Sequence, residues 1–557
     1  MKKISLLFLC LFCVNLYAQE NQKIAYDSPL DFSILMCGNF AELRANHFHG
    51  GLDIKTRGAV NKPVYAIGDG FINRVSVSPT GYGNALYITY ANGYTSVYGH
   101  LNAFLPAIAA RVEAYQYEHQ VFPLNLYFDE TEFPVKKGQL VAHSGSTGYS
   151  FGPHLHFELR KNGTDVLIDP LLFFKNKIKD TRPPKVKAIA VYPRETGVVN
   201  NSDKTLVIRP NASKKNEPIK AWGEIGLGIE AYDYMNDVHN KYGIHSLSLT
   251  VDGKEIYSHL LDSIHLTQNR TINAWVDQSL RTRGYWIMRC FKLPGNDLPF
   301  LKTTAQRGLF TIDEERPYAV VFTLKDAFGN SEVYRCTIQG KKQQVQHKRA
   351  PNAVYLPWDK KNAIHMDGFA MVLPEKTLYD NAWIVPEIRV DATGDTIYHI
   401  SDAPVMLGSS KLLALRIPEA WRSQVDKCYI ARVNKKGRKS SCGGKEWQGW
   451  LTTRVGSLTS FSVARDLNAP RITAIQPNKW SKRNKLVFKL SDKETGISSY
   501  SGQIDGKFYL FSYSYKTRLL TAKLSSKRLK RNSKHKYEIT VVDGRGNKTI
   551  KSGLFRW

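Results

Sequence analysis

Long apolar runs, cysteines and acids are all scarce in this 557-residue chain. Past the first twenty residues no run approaches the ~20 apolar residues that a spanning helix needs, which excludes an integral helical membrane protein. Only seven cysteines occur, and their spacing is wrong for a zinc cluster. Cys428 and Cys442 lie symmetrically about a turn at Lys435-Lys436-Gly437, so a cross-strand disulfide is one option. Cys290 with Cys336 is a second, and free thiols are the alternative for these and for Cys37. Acids number 49 against 78 lysines and arginines, a formal charge of +29, with the densest basic run, KLSSKRLKRNSKHK, at 523–536. Such a field attracts polyanions without choosing among them. No nucleic-acid-binding motif accompanies it, which leaves anionic envelope polymers or lipids, or a solvated surface with no dedicated partner.

The chain opens on Lys2-Lys3, an apolar run ISLLFLCLFCV, and the small residue Ala18. That is the build of a cleaved leader at 1–18 and predicts export to the periplasm or cell envelope, with secretion as a further option. Cys10 and Cys13 lack the small-residue context of a lipid-attachment site.

The most informative stretch is GPHLHFELR at 152–160. On a strand, His154 and His156 share one face about 7 Å apart, while Leu155, Phe157 and Leu159 share the other, a core face. Upstream, His49-Gly50-Gly51-Leu52-Asp53 forms an HxGxD pattern, its glycines suited to a tight bend. Between them lies Val97-Tyr98-Gly99-His100-Leu101. Neutral imidazoles and a carboxylate are zinc donors, and three protein ligands leave a catalytic position open. His47 also makes an HxH with His49, but it has no Asp at the matching spacing and reads as a groove or surface residue. His143 reads as a neighbour of a glycine turn. Glu158 shares the face of His154 and His156, either supporting a ligand histidine or facing solvent.

These three elements in this order resemble the lysostaphin-type (LytM-like) peptidoglycan metalloendopeptidases. The likeness runs over roughly residues 40–172 and includes NKPVYAIGDGFINRV, TGYGNALYITY and VKKGQLVAHSGSTGYSFGPHLHFELR. It implies one Zn²⁺ per chain held by His49, Asp53 and His156. It assigns His100 and His154 to the reaction, dividing or sharing the roles of base and oxyanion partner, and it implies peptidoglycan peptide stems as substrate. The rival reading is a wall-binding, non-hydrolytic activator or scaffold that uses a degenerate head and basic modules.

The expected fold class is all-β: a small antiparallel metallopeptidase domain with a short helical insertion, then two or three β-sandwich domains. Residues 24–178 form the peptidase unit. Within it, 102–134 is an insertion, with PAIAARVEAYQYEHQ helical and VFPLNLYFDETEFP extended, and it could wall the substrate groove. DTRPPKV at 179–185 is a linker. An internal repeat then pairs Gly243-Ile244 and Asp252-Gly253-Lys254 with Gly496-Ile497 and Asp505-Gly506-Lys507. Each copy closes on an Asp-x-x-Gly-Asn turn, Asp326–Asn330 and Asp543–Asn547. These resemble the immunoglobulin-like modules of bacterial surface proteins, at 186–345 (enlarged near 258–300) and 466–557. A β-rich domain at 350–463 lacks the repeat. No catalytic constellation stands out in residues 185–557.

Overall fold

Alternating apolar and polar side chains make most of this chain strand, since every second residue of a strand meets the core. The computed structural model describes residues 26–210, 218–345 and 350–557, so the expected leader at 1–18 lies outside the described residues. The architecture is β-dominated, as the pattern implies.

The N-terminal region is built on strands β1 (Met36–Gly38), β2 (Leu52–Lys55), β3 (Gly70–Val77), β4 (Asn84–Tyr90), β5 (Tyr94–Leu101), β6 (Leu124–Tyr127) and β7 (His154–Lys161). They lie in the order β1-β2-β7-β5-β4-β3-β6. The HLH strand β7 is therefore flanked by the strand that carries Asp53 and the strand that carries His100, and His156 sits opposite both Asp53 and Gly99. Leu155, Phe157 and Leu159 are fully buried on the opposite face. Gly51 is required for a different reason than the sequence suggests: its φ is not left-handed, but a Cβ there would meet the Phe157 carbonyl oxygen at 2.1 Å. The backbone constraint falls instead on His100, held at φ +59°, a conformation non-glycine residues rarely adopt.

The insertion forms helix α1 (Pro106–Glu118) and the edge strand β6, which pairs with β3 at the far end of the sheet. None of its residues lines the cleft around the histidines. Its helix instead receives the last module: Arg528 reaches Glu113 at 3.1 Å and lies over the Tyr117 ring, and Phe508 packs edge-on against Tyr117. Part of the basic 523–536 run is thus committed to the peptidase domain.

At the other side, strand β8 (Val166–Ile168) pairs with β7 and also with β9 (Ser263–His265) of the enlarged first module. The hydrophobic core is continuous across this junction, with Phe48 packed on Trp275 and Phe300. In that module the long strand Ile219–Tyr232 pairs with Lys185–Pro193 through its second half and with Ser331–Gly340 through its start, passing between layers. The repeated Asp-Gly pairs are hairpin turns: Asp252 and Gly253, like Asp505 and Gly506, all have positive φ, as a type I′ turn demands.

Residues 354–465 contribute two five-stranded sheets and the last module two four-stranded sheets, each with its own core. The five cysteines in the described residues are free thiols. Register explains why Cys428 and Cys442 do not join. Ala431 faces Ser441, which sets Cys442 beside Ile430, two residues beyond Cys428.

Candidate metal centre

Three donor atoms converge at the edge of β2 and β7. His156 Nδ1 lies 2.8 Å from Asp53 Oδ1, His49 Nε2 lies 3.0 Å from the same oxygen, and the two nitrogens are 3.2 Å apart. A tetrahedral ion with bonds of about 2.0–2.1 Å has donor–donor edges of roughly 3.3 Å, so the triangle fits a zinc ion. Nitrogen and carboxylate donors also match that metal's preference.

The outer nitrogen of each imidazole has a fixed partner, and this sets which nitrogen faces inward. His49 Nδ1–H donates to the Asn39 carbonyl at 2.7 Å, leaving Nε2 bare. His156 Nε2–H donates to Glu158 at 2.8 Å, leaving Nδ1 as the inner atom. His100 Nδ1–H donates to the Thr147 carbonyl at 2.8 Å and His154 Nδ1–H to the Gly152 carbonyl at 2.9 Å. The Nε2 atoms of these two remain for the cleft, and that of His154 lies 3.4 Å from Asp53 Oδ1. The His100 and His154 rings meet edge to face, 4.7 Å between centroids.

Glu158 is 1% exposed, which decides its role: it is a supporting carboxylate, not a solvated one. Arg160 donates twice to its Oε2, and Tyr82 donates to Oε1 at 2.6 Å. Burial works against its charge, but Arg160 and then His156 outweigh burial and draw the carboxyl down to about 2. Burial likewise opposes charge on His156, yet the hydrogen bonds to Asp53 and Glu158 raise it to about 9 in the metal-free chain. Burial disfavours the Asp53 carboxylate too, but the His49 charge and bonds from three imidazoles hold it well below the usual range. Burial, then His156 and His154, push His100 down to about 3.

The centre opens on a cleft of about 790 Å³. Tyr149 and Phe151 stand exposed on one rim, and Leu266 and Asn269 of the first module contribute to the lining. Asn269 Oδ1 also accepts the Phe48 backbone N–H at 2.8 Å, tying that wall to the segment that carries His49. His47 is exposed and lines the cleft, and His143 lies in a separate small sheet. Tyr82 and Arg160 fall inside the family-like stretches TGYGN and HFELR, which was a signal available in the sequence. Leu266 and Asn269 had none.

Residues 47–121 and 123–169 match the family model described as peptidase family M23, and residues 353–466 match a Zu5-like domain. The chain is 35% identical over 118 residues to DD-carboxypeptidase/endopeptidase Mpg of Neisseria meningitidis serogroup B, covering 21% of each. It is 31% identical over 157 residues to peptidoglycan DD-endopeptidase ShyC of Vibrio cholerae, covering 27% of this chain and 30% of that one. The chain thus spans less than a third of the length of these curated relatives. Among solved structures, the lysostaphin catalytic domain from Staphylococcus simulans shares 27% identity over 25% of this chain and 89% of its own, with a TM-score of 0.19.

Proposed function

We propose that this chain, which carries a peptidase family M23 domain, is a zinc-dependent endopeptidase that cuts peptide cross-links of bacterial peptidoglycan. The observation that carries the reading is the triangle of His49, Asp53 and His156 donor atoms beside two imidazoles that offer only Nε2 to the cleft. His49, Asp53 and His156 would hold the ion. Zinc, when bound, supplies Lewis acidity that acidifies water and polarises a carbonyl.

The protein's own groups do the rest. His100 is kept neutral and accepts the proton of the attacking water at Nε2, because its Nδ1–H is committed to Thr147. His154 presents the second Nε2 to the cleft and is the side chain placed beside the tetrahedral oxyanion. Glu158, clamped by Arg160 and Tyr82, holds the His156 ring in its ligating orientation. The open cleft, with aromatic side chains on its rim, suits an extended peptide stem.

Relatives named as peptidoglycan DD-endopeptidases support the wall as substrate, and a wall substrate implies action outside the cytoplasm. The excess of basic residues suits contact with anionic envelope polymers there. Digestion of purified peptidoglycan by the zinc-loaded full chain, with mass spectrometry of the soluble fragments, tests the proposal. Cross-linked muropeptides should fall to monomers with the native chain and persist with Asp53→Ala. Persistence with both overturns it.

A further inference from the structure

Asp180, Asp233 and Asp326 come from three separate places: the linker after the peptidase domain, the residue following Ile219–Tyr232, and the turn after Pro317–Lys325. A carboxylate oxygen from each lies within 4.8 Å of the others. The residues are 9%, 5% and 3% exposed. Asp326 is held in position, its Oδ1 accepting the Phe328 and Asn330 backbone N–H groups at 2.8 Å and its Oδ2 the Asn330 side chain at 2.7 Å. Asp180 Oδ1 accepts the Arg182 N–H at 3.1 Å. Of the three remaining oxygens, Asp180 Oδ2 and Asp233 Oδ1 are buried and have no hydrogen-bond partner. Arg182 makes no hydrogen bond to either oxygen, its Nη1 donating to the Met235 and Val238 carbonyls, and its nearby charge offsets the crowding at Asp233 only in part.

Buried carboxylates crowded together without partners are strongly unfavourable unless a cation joins them. Burial and then the Asp326 charge push Asp233 up to about 8, the mark of that crowding. The donor set is all oxygen. Calcium bonds of about 2.3–2.6 Å put donors on opposite sides of the ion roughly 4.6–5.2 Å apart, whereas magnesium demands a tighter cage and keeps more water.

We propose that Asp180, Asp233 and Asp326 bind one calcium ion at the junction of the peptidase domain and the first sandwich module. The last module supplies an internal control. Its Asp466, Asp492 and Glu494 also lie within 4.8 Å of one another, Asp543 opens the matching turn, and Asn547 donates to the Asp466 carbonyl as Asn330 does to the Asp180 carbonyl. There, however, Thr495 donates its hydroxyl to Asp466 and its backbone N–H to Asp492, and neither acid is left with an unpartnered buried oxygen. The ion would fasten the linker to the module whose Leu266 and Asn269 wall the cleft.

The test is calorimetric titration of calcium chloride into the full chain in calcium-free buffer, with magnesium chloride alongside and melting temperature as a second readout. The native chain should bind calcium at this site and melt higher with it. Asp233→Asn should lose one bound ion per chain and its thermal shift. In calcium-free buffer it should melt no lower than the native chain, because it removes an unpartnered acid whose ionisation burial already opposes, and this separates lost binding from lost folding. Asp180→Asn should weaken binding by at least about tenfold, in keeping with the dependence of calcium affinity on ligand charge, and Asp492→Asn should not. No binding by the native chain, or equal binding by native and Asp233→Asn chains, overturns the assignment.

Discussion

His49, Asp53 and His156 sit inside a surround in which each imidazole's outer nitrogen is fixed and Asp53 is bonded on all sides. Asp180, Asp233 and Asp326 also bring their carboxylates within 4.8 Å of one another, yet two of their buried oxygens have no hydrogen-bond partner. The first cluster mixes imidazole with one carboxylate, and its charges largely compensate one another in the metal-free chain. The second gathers like charges and needs a cation to compensate them. A reactive centre must be organised before its metal and substrate arrive. A structural site can wait for its ion. The first lies on an open cleft and the second is sealed at a domain junction, so they should answer differently to substitution.

The largest effect expected is at Asp53. Replacing it with alanine removes one donor and the bridge between two imidazoles, so zinc content measured by elemental mass spectrometry and muropeptide release should both be lost. Next comes His154→Ala, expected to lower turnover by roughly 10²–10³-fold, the usual worth of an oxyanion partner, while zinc content stays at one per chain. Equal metal loss in the two variants would merge the roles separated here. Glu158→Gln keeps the shape but weakens the hold on His156. Zinc affinity should fall about 10–100-fold, with activity recovering as zinc is raised.

A fourth test uses pH. His156 must be neutral to ligate, and its value is raised from 6.5 to about 9. Zinc affinity, followed by chelator competition, should therefore climb as pH rises toward 9 and then level off. In the metal-free chain the sign reverses for stability: charged His156 stabilises the fold fully below 6.5, and that contribution is lost as pH rises through 9. The smallest effect is at the other cluster. Asp233→Asn should leave hydrolysis of a short peptide unchanged within about twofold, since a site outside the cleft does not couple to the chemistry.

The contrast also explains what was legible in the sequence. His49, Asp53, His100, His154 and His156 could be read because each sits in a short local pattern whose spacing reflects strand geometry. The Asp-Gly turns were legible for the same reason. Asp180, Asp233 and Asp326 are single acids scattered over more than a hundred residues, brought together only by sheet pairing. Leu266 and Asn269 became cleft residues because a module strand joined the peptidase sheet, and no local spacing records that event. The helix Pro106–Glu118 was recognisable as a helix, but its partner Arg528 lies hundreds of residues away.

One feature of the fold bears on how such an enzyme would work in a meshwork. Because β8 pairs with β9, the jaw carrying Leu266 and Asn269 is a continuation of the sheet that bears the histidines. Lys516 of the last module meanwhile grips the Ser150 carbonyl on the opposite rim. Opening the mouth on the first side would break a ladder of backbone bonds, whereas the second is held by one side-chain bond. Under the proposed activity such a mouth would admit only strands that already match its width.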